Sequence, residues 1–443
     1  MTARLLTLWN RVNASYWFWP ATFCLIAFLL ALLTLSLDRS GAADSLSEIA
    51  AIVPARPDGA STMLQVIAGS MIGVAATVFS ITIAAVAYAS GTYGPRLLTN
   101  FMEDRGNQLS LATFIGTFVY AIMVLRAVRA EDERPSTVQD ALASTLPGFV
   151  PQLSLLVATA MMLAAVAMLV FFLNHVPSSI RINVVLERIG ERLIRQIRHR
   201  FPEDGEGTEH ERPEGGWPVA AKRSGYVEVI DYSGLCDLAR DQDIDIVIDR
   251  QAGDFVHPAV TLARYKGGNG ADNDLESAIQ SCFVLSGLRT PQQDLRFLID
   301  ELVEIALRAL SPGINDPFTA ITALHWLGAA TAQLGCRELA RAPDDDDAVD
   351  KRHVFPRHMS FADYVDIGFG SARSAVATSP KSALAMYAAL EDCATTVRKV
   401  RVADLLAEGE RLILQVRTNL AGPDLALVEA RHAQFAAACS LRA

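Results

Sequence analysis

The sequence predicts a membrane α-helical protein in which four transmembrane helices precede a cytoplasmic α+β domain, itself a small β-rich module followed by a helical bundle. Three observations indicate this class: 51% of the 443 residues are hydrophobic, only 20% are charged, and the mean hydropathy is +0.25. These values are too apolar for an ordinary cytosolic enzyme. The formal net charge of -10 provides no global positive field, so we expect no nucleic-acid partner.

The apolar excess is concentrated in four stretches that are long enough to cross a bilayer, which takes about 20 apolar residues at 1.5 Å each. The first stretch begins with aromatic side chains, which favour the headgroup boundary, and it is longer than the core of a signal peptide. Within a transmembrane domain of residues 1–175 we predict spans at about 17–37, 64–90, 109–125 and 149–173.

The arginines that flank the spans predict the orientation. With the N-terminus inside, ten arginines lie on the inner flanks and five in the outer loops. Six of the ten follow the fourth span directly, so the assignment depends on that segment. The six cysteines are scattered without a Cys-x-x-Cys pair, which favours a reducing compartment and predicts no zinc site. We therefore expect both termini to be cytoplasmic.

Residues 176–201 are predicted to form a basic amphipathic helix. One face is basic, and the other repeats apolar residues at helical spacing, namely Ile182, Val185, Ile189, Leu193 and Ile197. Two interpretations remain open. The helix can lie along anionic headgroups, where each basic residue contributes about 1 kcal/mol, or it can connect the domains and pack on the cytoplasmic one.

The rest of the chain divides by composition. Residues 202–218 are rich in Gly, Glu and Pro and are predicted to be a linker. Residues 219–270 cluster β-branched side chains around a Gly-Asp turn and are predicted to form the β-rich module. This module resembles half of a biotinyl/lipoyl-type barrel sandwich but has no lysine at a hairpin tip, so we expect no cofactor. Residues 271–443 show helical periodicity, and the acidic run at 344–347 is predicted to stay solvated without a metal.

Four stretches resemble a known family: residues 79–84, Tyr-Gly-Pro-Arg-Leu-Leu at 93–98, residues 113–120, and Ala-Leu-Ser-Pro-Gly-Ile-Asn-Asp-Pro-Phe-Thr-Ala at 309–320. They are similar to the predicted bacterial membrane proteins grouped as domain of unknown function 2254, and the resemblance covers nearly the whole chain. The resemblance implies a bacterial inner-membrane protein with four spans and a cytoplasmic domain. It implies no activity and transfers no catalytic residue.

The stretch at 309–320 also has a direct physical interpretation as a turn between two helices. Pro and Gly end the first helix, Asn or Asp caps the second by accepting from its free amides, and a further Pro fits the first turn. The alternative is that the free amides bind an anion or a partner subunit. The residues of this predicted turn are Ser311, Pro312, Gly313, Asn315, Asp316 and Pro317.

Motifs for the common enzyme chemistries are absent from the sequence, which has no phosphate-binding loop, nucleophile elbow or zinc-protease motif. We therefore expect a protein that is not an enzyme. The four predicted spans also contain no Asp, Glu, His, Lys or Arg, whereas coupled transporters usually hold one at mid-membrane. A passive function fits better than a pump.

Small and hydroxyl-bearing residues recur at steps of three or four along the second span: Ser70, Gly73, Thr77, Ser80, Ala84 and Ala87. Such a face either packs tightly against another helix or lines a pore in a ring of subunits. We interpret the protein as a homo-oligomeric passive ion channel with this pore wall. The alternative is a membrane-anchored scaffold or sensor whose cytoplasmic helical domain binds a partner protein.

The channel interpretation assigns two further sets of residues. A hydrophobic side chain beside the small residues can gate a pore by dewetting, and charges at the mouth bias ion selectivity. The gate candidates are Val74, Phe79 and Ile81. The candidates for the cytoplasmic mouth are Arg96, Glu103, Asp104 and Arg105.

Overall fold

The computed structural model describes residues 12–13, 15–40, 56–94, 104–129, 149–201, 203, 212–268, 270–339 and 353–442. These residues form two compact units. The membrane unit ends at Arg181, and the α+β unit runs from Ile182 onward and also includes Thr92–Gly94. Arg96, Glu103, the acidic run at 344–347 and most of the predicted linker lie outside the described residues.

In the described part of the membrane unit, four helices are long and apolar enough to cross a bilayer. Their number is as predicted. The second helix extends past its predicted span at both ends and the third begins earlier than predicted, whereas the fourth begins at Gln152, later than predicted, and continues to Ser179. These differences arise because helical hydrogen bonding does not stop where the uncharged run stops. The helices are α1 (Phe18–Arg39), α2 (Pro57–Tyr93), α3 (Arg105–Leu125) and α4 (Gln152–Ser179).

Small side chains bring the helices of the membrane unit together. Ala27 and Ala31 on α1 are fully buried, and a Cβ atom added at Gly116 on α3 would lie 3.5 Å from the carbonyl oxygen of Phe23. Close approach of this kind is how helices gain packing energy in a lipid environment. Larger residues, such as Phe114 on α3, fill the remaining core.

Buried polar groups also join these helices. The Asp38 carboxylate, at the end of α1, accepts hydrogen bonds from the backbone amides of Leu153 and Ser154 at 2.9 and 3.0 Å, and so caps α4. The Tyr120 hydroxyl donates to the Ser154 carbonyl oxygen at 3.2 Å and lies 2.9 Å from the hydroxyl of Thr34. Free amides are costly in lipid, so these bonds fix how α1, α3 and α4 fit together.

Two sheets form the β part of the α+β unit. The first has strand order β1-β5-β3-β7 and the second β4-β2-β6. The helices α6 (Tyr232–Gln242) and α7 (Asn273–Ser281) pack with them around one apolar core. The strands are β1 (Trp217–Ala220), β2 (Gly225–Ile230), β3 (Ile244–Ile248), β4 (Phe255–Val256), β5 (Thr261–Gly267), β6 (Phe283–Ser286) and β7 (Val354–Phe355).

The predicted boundary of the β-rich module at residue 270 is too early. β6 pairs with β2, and β7 pairs in parallel with β3 across more than one hundred residues of chain. β1 begins within the predicted linker. β6 and β7 have only four and two residues, which is too short for a period of two to stand out.

The helical part of the α+β unit is built around α9. A π-helical turn, Asp366–Gly370, separates α10 from α11, and a 3-10 turn, Lys399–Arg401, precedes α13. α9 packs against α5, α8 and α12. These helices are α5 (Ile182–Arg200), α8 (Leu295–Ala309), α9 (Pro317–Gly335), α10 (Phe361–Val365), α11 (Ser371–Val376), α12 (Pro380–Thr396), α13 (Val402–Asn419) and α14 (Gly422–Ser440).

The basic amphipathic helix is α5, which begins at Ile182 because residues 176–179 still belong to α4. Its apolar face is buried against α8 and α9, and Gly190 lies directly against the ring of Trp326. Arg188, Arg195 and Arg198 are exposed on the other face. The apolar face is therefore used within the α+β unit, as in the second of the two interpretations.

Candidate functional site

The exposed face of α2 is the first candidate site. All six small or hydroxyl-bearing residues predicted there are exposed, and we call them the small face. The buried side of α2 carries Leu64, Ile67, Met71 and Val78, which at 3.6 residues per turn lie roughly opposite. This side also carries buried alanines such as Ala68 and Ala75, so α2 packs on its own unit with a mixed apolar side and leaves the small face uncovered.

The small face is a weakly polar surface. The Thr77 hydroxyl donates to the Gly73 carbonyl oxygen at 3.0 Å, and the Ser80 hydroxyl donates to the Ala76 carbonyl oxygen at 2.9 Å. Each hydroxyl oxygen keeps its acceptor lone pairs. A Cβ atom added at Gly69 or Gly73 would meet no atom within 4 Å. The face can therefore accept a closely approaching backbone, or water.

The three gate candidates do not share one environment. Val74 is half-buried and packs against the core of the membrane unit. The Phe79 ring is exposed but lies 6.2 Å from the Tyr16 ring, on another side of α2. Ile81 is exposed and stands one turn from Thr77 at the border of the small face. Of the three, Ile81 alone lies where it could narrow a pore formed by that face.

Asp104, predicted as a charge at the mouth, is instead engaged inside the membrane unit. Its carboxylate caps α3 by accepting from the backbone amide of Asn107 at 3.1 Å, and the same oxygen lies 2.7 Å from Nε2 of His175 on α4. Its neighbour Arg105 is exposed. The Asp104–His175 contact, which joins α3 to α4, was missed because His175 falls just beyond the predicted fourth span.

The turn at 311–317 forms as the sequence predicts, with Asp316 as the cap. Its carboxylate accepts from the amides of Phe318 and Thr319 at 3.1 and 3.2 Å, and Asn315 before it has a left-handed φ of 49°. The carboxylate thus occupies the free amides that an anion would need. The turn holds two apolar side chains outward: Ile314 is 48% and Phe318 is 66% exposed.

The described part of the chain shows neither a cluster of metal ligands nor, at Cys393, a reactive thiol. No group of three or more His, Cys, Asp or Glu side chains is placed there to hold a metal ion. The Cys393 thiol donates to the Gly328 carbonyl oxygen at 3.1 Å, and burial raises the pKa of this thiol to about 12. Such a thiol is a packing group and not a nucleophile.

The apolar helices of the membrane unit agree with the comparison to known families. Residues 13–392 match the family described as "Predicted membrane protein (DUF2254)". The chain belongs to this family. Uncharacterized proteins of Mycobacterium bovis and Mycobacterium tuberculosis are each 30% identical to it over 369 residues, which cover 79% of this chain and 67% of theirs. No solved structure matches the chain. This DUF2254 protein is thus a predicted membrane protein whose apolar helices fit integration in a bilayer.

Proposed function

We propose that this protein is a homo-oligomeric passive ion channel of the bacterial inner membrane, with α2 lining the conduction path and both termini in the cytoplasm. The uncovered small face of α2 carries the proposal. A face of small residues gains nothing over large apolar ones when it meets lipid, but it lets helices of several copies approach closely. A second copy of this chain is therefore the partner that suits it.

The composition of the small face would allow ions to pass through a pore that it borders. The stretch 61–90 contains no Asp, Glu, Lys, Arg or His, so a pore bordered by it would bind no ion tightly. The oxygens of Thr77 and Ser80 would offer weak hydration to a passing ion, and Ile81 would supply a constriction that closes by dewetting. Passive flow needs no buried charge, which agrees with the uncharged spans.

Current measurements on the purified protein in planar bilayers test this proposal. Thr77→Trp fills the small face and should reduce the single-channel current at least tenfold, and Ser80→Lys should shift selectivity towards anions. The matched control is Ile83→Trp, because Ile83 is also exposed on α2 but lies outside the small face. If the wild-type protein leaves vesicles as ion-tight as empty ones at every voltage, tension and pH tried, the channel proposal is wrong.

The exposed arginines of α5 support the proposed orientation. Arg188, Arg195 and Arg198 follow the fourth span in sequence and face solvent within the α+β unit. A positive segment next to a span favours the cytoplasmic side, and anionic headgroups there attract each basic residue with about 1 kcal/mol. Because the apolar face of α5 is buried, this attraction would be purely electrostatic. The attraction between α5 and anionic headgroups should therefore weaken steeply with salt.

A second candidate function is a membrane-anchored scaffold or sensor, and the exposed Ile314 and Phe318 favour it. Two large apolar side chains held outward by a rigid capped turn are typical of a protein contact. Under this alternative Phe318→Asp abolishes partner binding while wild-type vesicles stay ion-tight. Under the channel proposal the same substitution leaves the pore wall intact and currents persist.

A further inference from the structure

β3 and β7 are neighbouring parallel strands, so the segments that follow them leave the sheet at the same edge. Val247 on β3 pairs with Phe355 on β7. Beyond the strands, the side-chain amide of Gln251 donates to the backbone carbonyl oxygen of Arg357 at 2.9 Å. The two segments that leave the sheet here therefore lie next to each other.

Arginines from several parts of the chain meet at this edge. We call four of them the basic patch: Arg212, Arg250, Arg264 and Arg357. The Nη2 atom of Arg212 donates at 2.6 Å to the carbonyl oxygen of Ile248, the last residue of β3. The Nε atom of Arg250 donates at 3.3 Å to the carbonyl oxygen of Thr261, the first residue of β5. Arg264 lies further along β5, which pairs with β3.

The basic patch contains more guanidinium groups than carboxylates that bind them. The Asp249 carboxylate accepts from Nε and Nη2 of Arg264 at 2.8 and 3.0 Å, and it lies 3.7 Å from Arg212. Glu214, two residues after Arg212, is exposed and forms no ion pair within the described ranges. The other two arginines of the patch have no carboxylate partner there either.

The positive charges of the basic patch act on one another. Burial lowers the pKa of Arg212, and the charges of Arg264 and Arg357 lower it further in spite of the nearby carboxylate. Partial burial, followed by the charges of Arg212 and Arg200, lowers the pKa of His358, so that its imidazole is neutral at pH 7. Like charges held this close repel, and an anion that binds between them would relieve the repulsion.

The basic patch is open to a ligand from solution. The side chains of Arg212 and Arg264 are 39% and 32% exposed, and Arg357 and His358 are exposed as well. The planar guanidinium fork matches phosphate oxygens and is weakly hydrated. A phosphate group carries about -1.5 to -2 charges at pH 7 and three acceptor oxygens, so it satisfies more of these donors than one carboxylate does.

From this arrangement we propose that the basic patch binds a small anion that carries phosphate groups. Arg212 and Arg357 bind the phosphate oxygens from two separate segments, and His358 supplies a neutral hydrogen-bond donor. Arg264 adds positive charge and is held in place by Asp249. The phosphate belongs either to a free compound or to a lipid headgroup. The site does not depend on ion conduction, since a scaffold could carry it as well as a channel.

Thermal unfolding of the full-length protein in an uncharged detergent tests for the ligand and separates its two sources. Sodium pyrophosphate represents a free compound, and the short-chain lipid dihexanoyl phosphatidic acid represents a headgroup. At constant ionic strength at least one of them should raise the Tm by several degrees, because a ligand that binds only the folded protein stabilises it. The compound that acts identifies the source. No Tm shift with either compound, or an equal shift with sodium sulfate, would contradict a phosphate site.

A substitution in the patch tests where the ligand binds. Arg357→Gln removes an exposed side chain without breaking an ion pair of the described residues, and it should raise the Kd at least tenfold because a charge-assisted bond is lost. Isothermal titration calorimetry measures the Kd. Arg240→Gln is the matched control, since Arg240 is exposed on α6, before β3, and pairs with Asp237. Wild-type affinity in Arg357→Gln, or an equal loss in Arg240→Gln, would show that the basic patch is not the site.

Discussion

Glu408 is the residue at which burial and charge conflict most clearly. It lies on α13, is 0% exposed, and its Oε2 atom accepts from Arg373 at 2.7 Å. No group among the described residues forms a hydrogen bond with its Oε1 atom. Burial raises the pKa of this carboxyl to about 7 in spite of the nearby Arg373 and Arg411. The site thus favours the neutral acid over the carboxylate, which needs more bonds than it receives.

The raised pKa of Glu408 predicts how stability depends on pH. Its contribution is fully present below the pKa of an unfolded glutamate and is lost as pH rises through about 7. Glu408→Gln imitates the neutral acid, so it should flatten this pH dependence and raise the free energy of unfolding above pH 7 by up to about 3 kcal/mol. Denaturant unfolding of the α+β unit at several pH values measures it. Glu429→Gln, at an exposed ion pair, should change stability by less than about 1 kcal/mol.

At the scale of elements, α5 shows how one amphipathic pattern supports two different structures. The sequence could not decide between lipid headgroups and protein as the partner of its apolar face, because both accept the same side chains. The structure shows Leu186, Leu193 and Ile197 fully buried within the α+β unit. The signal that distinguishes the two was Gly190, a small residue in the middle of the apolar face, which lets α9 approach.

The contact at Gly190 can be tested by adding one methyl group. A Cβ atom there would lie 2.2 Å from the Trp326 ring, so Gly190→Ala should separate α5 from α9 and lower the free energy of unfolding by about 1–3 kcal/mol. Gly313→Ala is the control, because Gly313 has open space around its Cβ position. Fluorescence of Trp326 reports the separation directly. An unchanged spectrum with unchanged stability would contradict this packing.

At the scale of the whole molecule, the small face of α2 predicts self-association. A bulky residue in its middle should keep copies apart, so Gly73→Leu should lower the mass of the detergent-solubilised complex by at least one subunit. Native mass spectrometry measures that mass. Ile72→Leu changes an exposed residue next to it without adding volume and should leave the mass unchanged. A wild-type protein that is monomeric under mild conditions would remove the basis for a shared pore.

The membrane helices were predictable because a run without charges is a local signal, readable within some twenty residues. The capped turn at Asp316 was predictable for the same reason. β7 was not, because its two residues become a strand only by pairing with β3 far away in sequence. Hydropathy does not indicate His175, because the apolar run ends before it, whereas the helix and its contacts continue.

The bond between Asp38 and the start of α4 has a consequence for how the protein is made. Asp38 leaves the ribosome more than one hundred residues before Leu153 and Ser154, whose amides it binds. Until these residues are synthesised, the Asp38 carboxylate at the end of α1 cannot form these hydrogen bonds. In the same way, α4 enters the membrane with the amides of its first turn still unbonded. In a truncated chain that lacks α1, the amides at the start of α4 would therefore stay unbonded. We expect the quality-control proteases of the membrane to degrade such a chain faster.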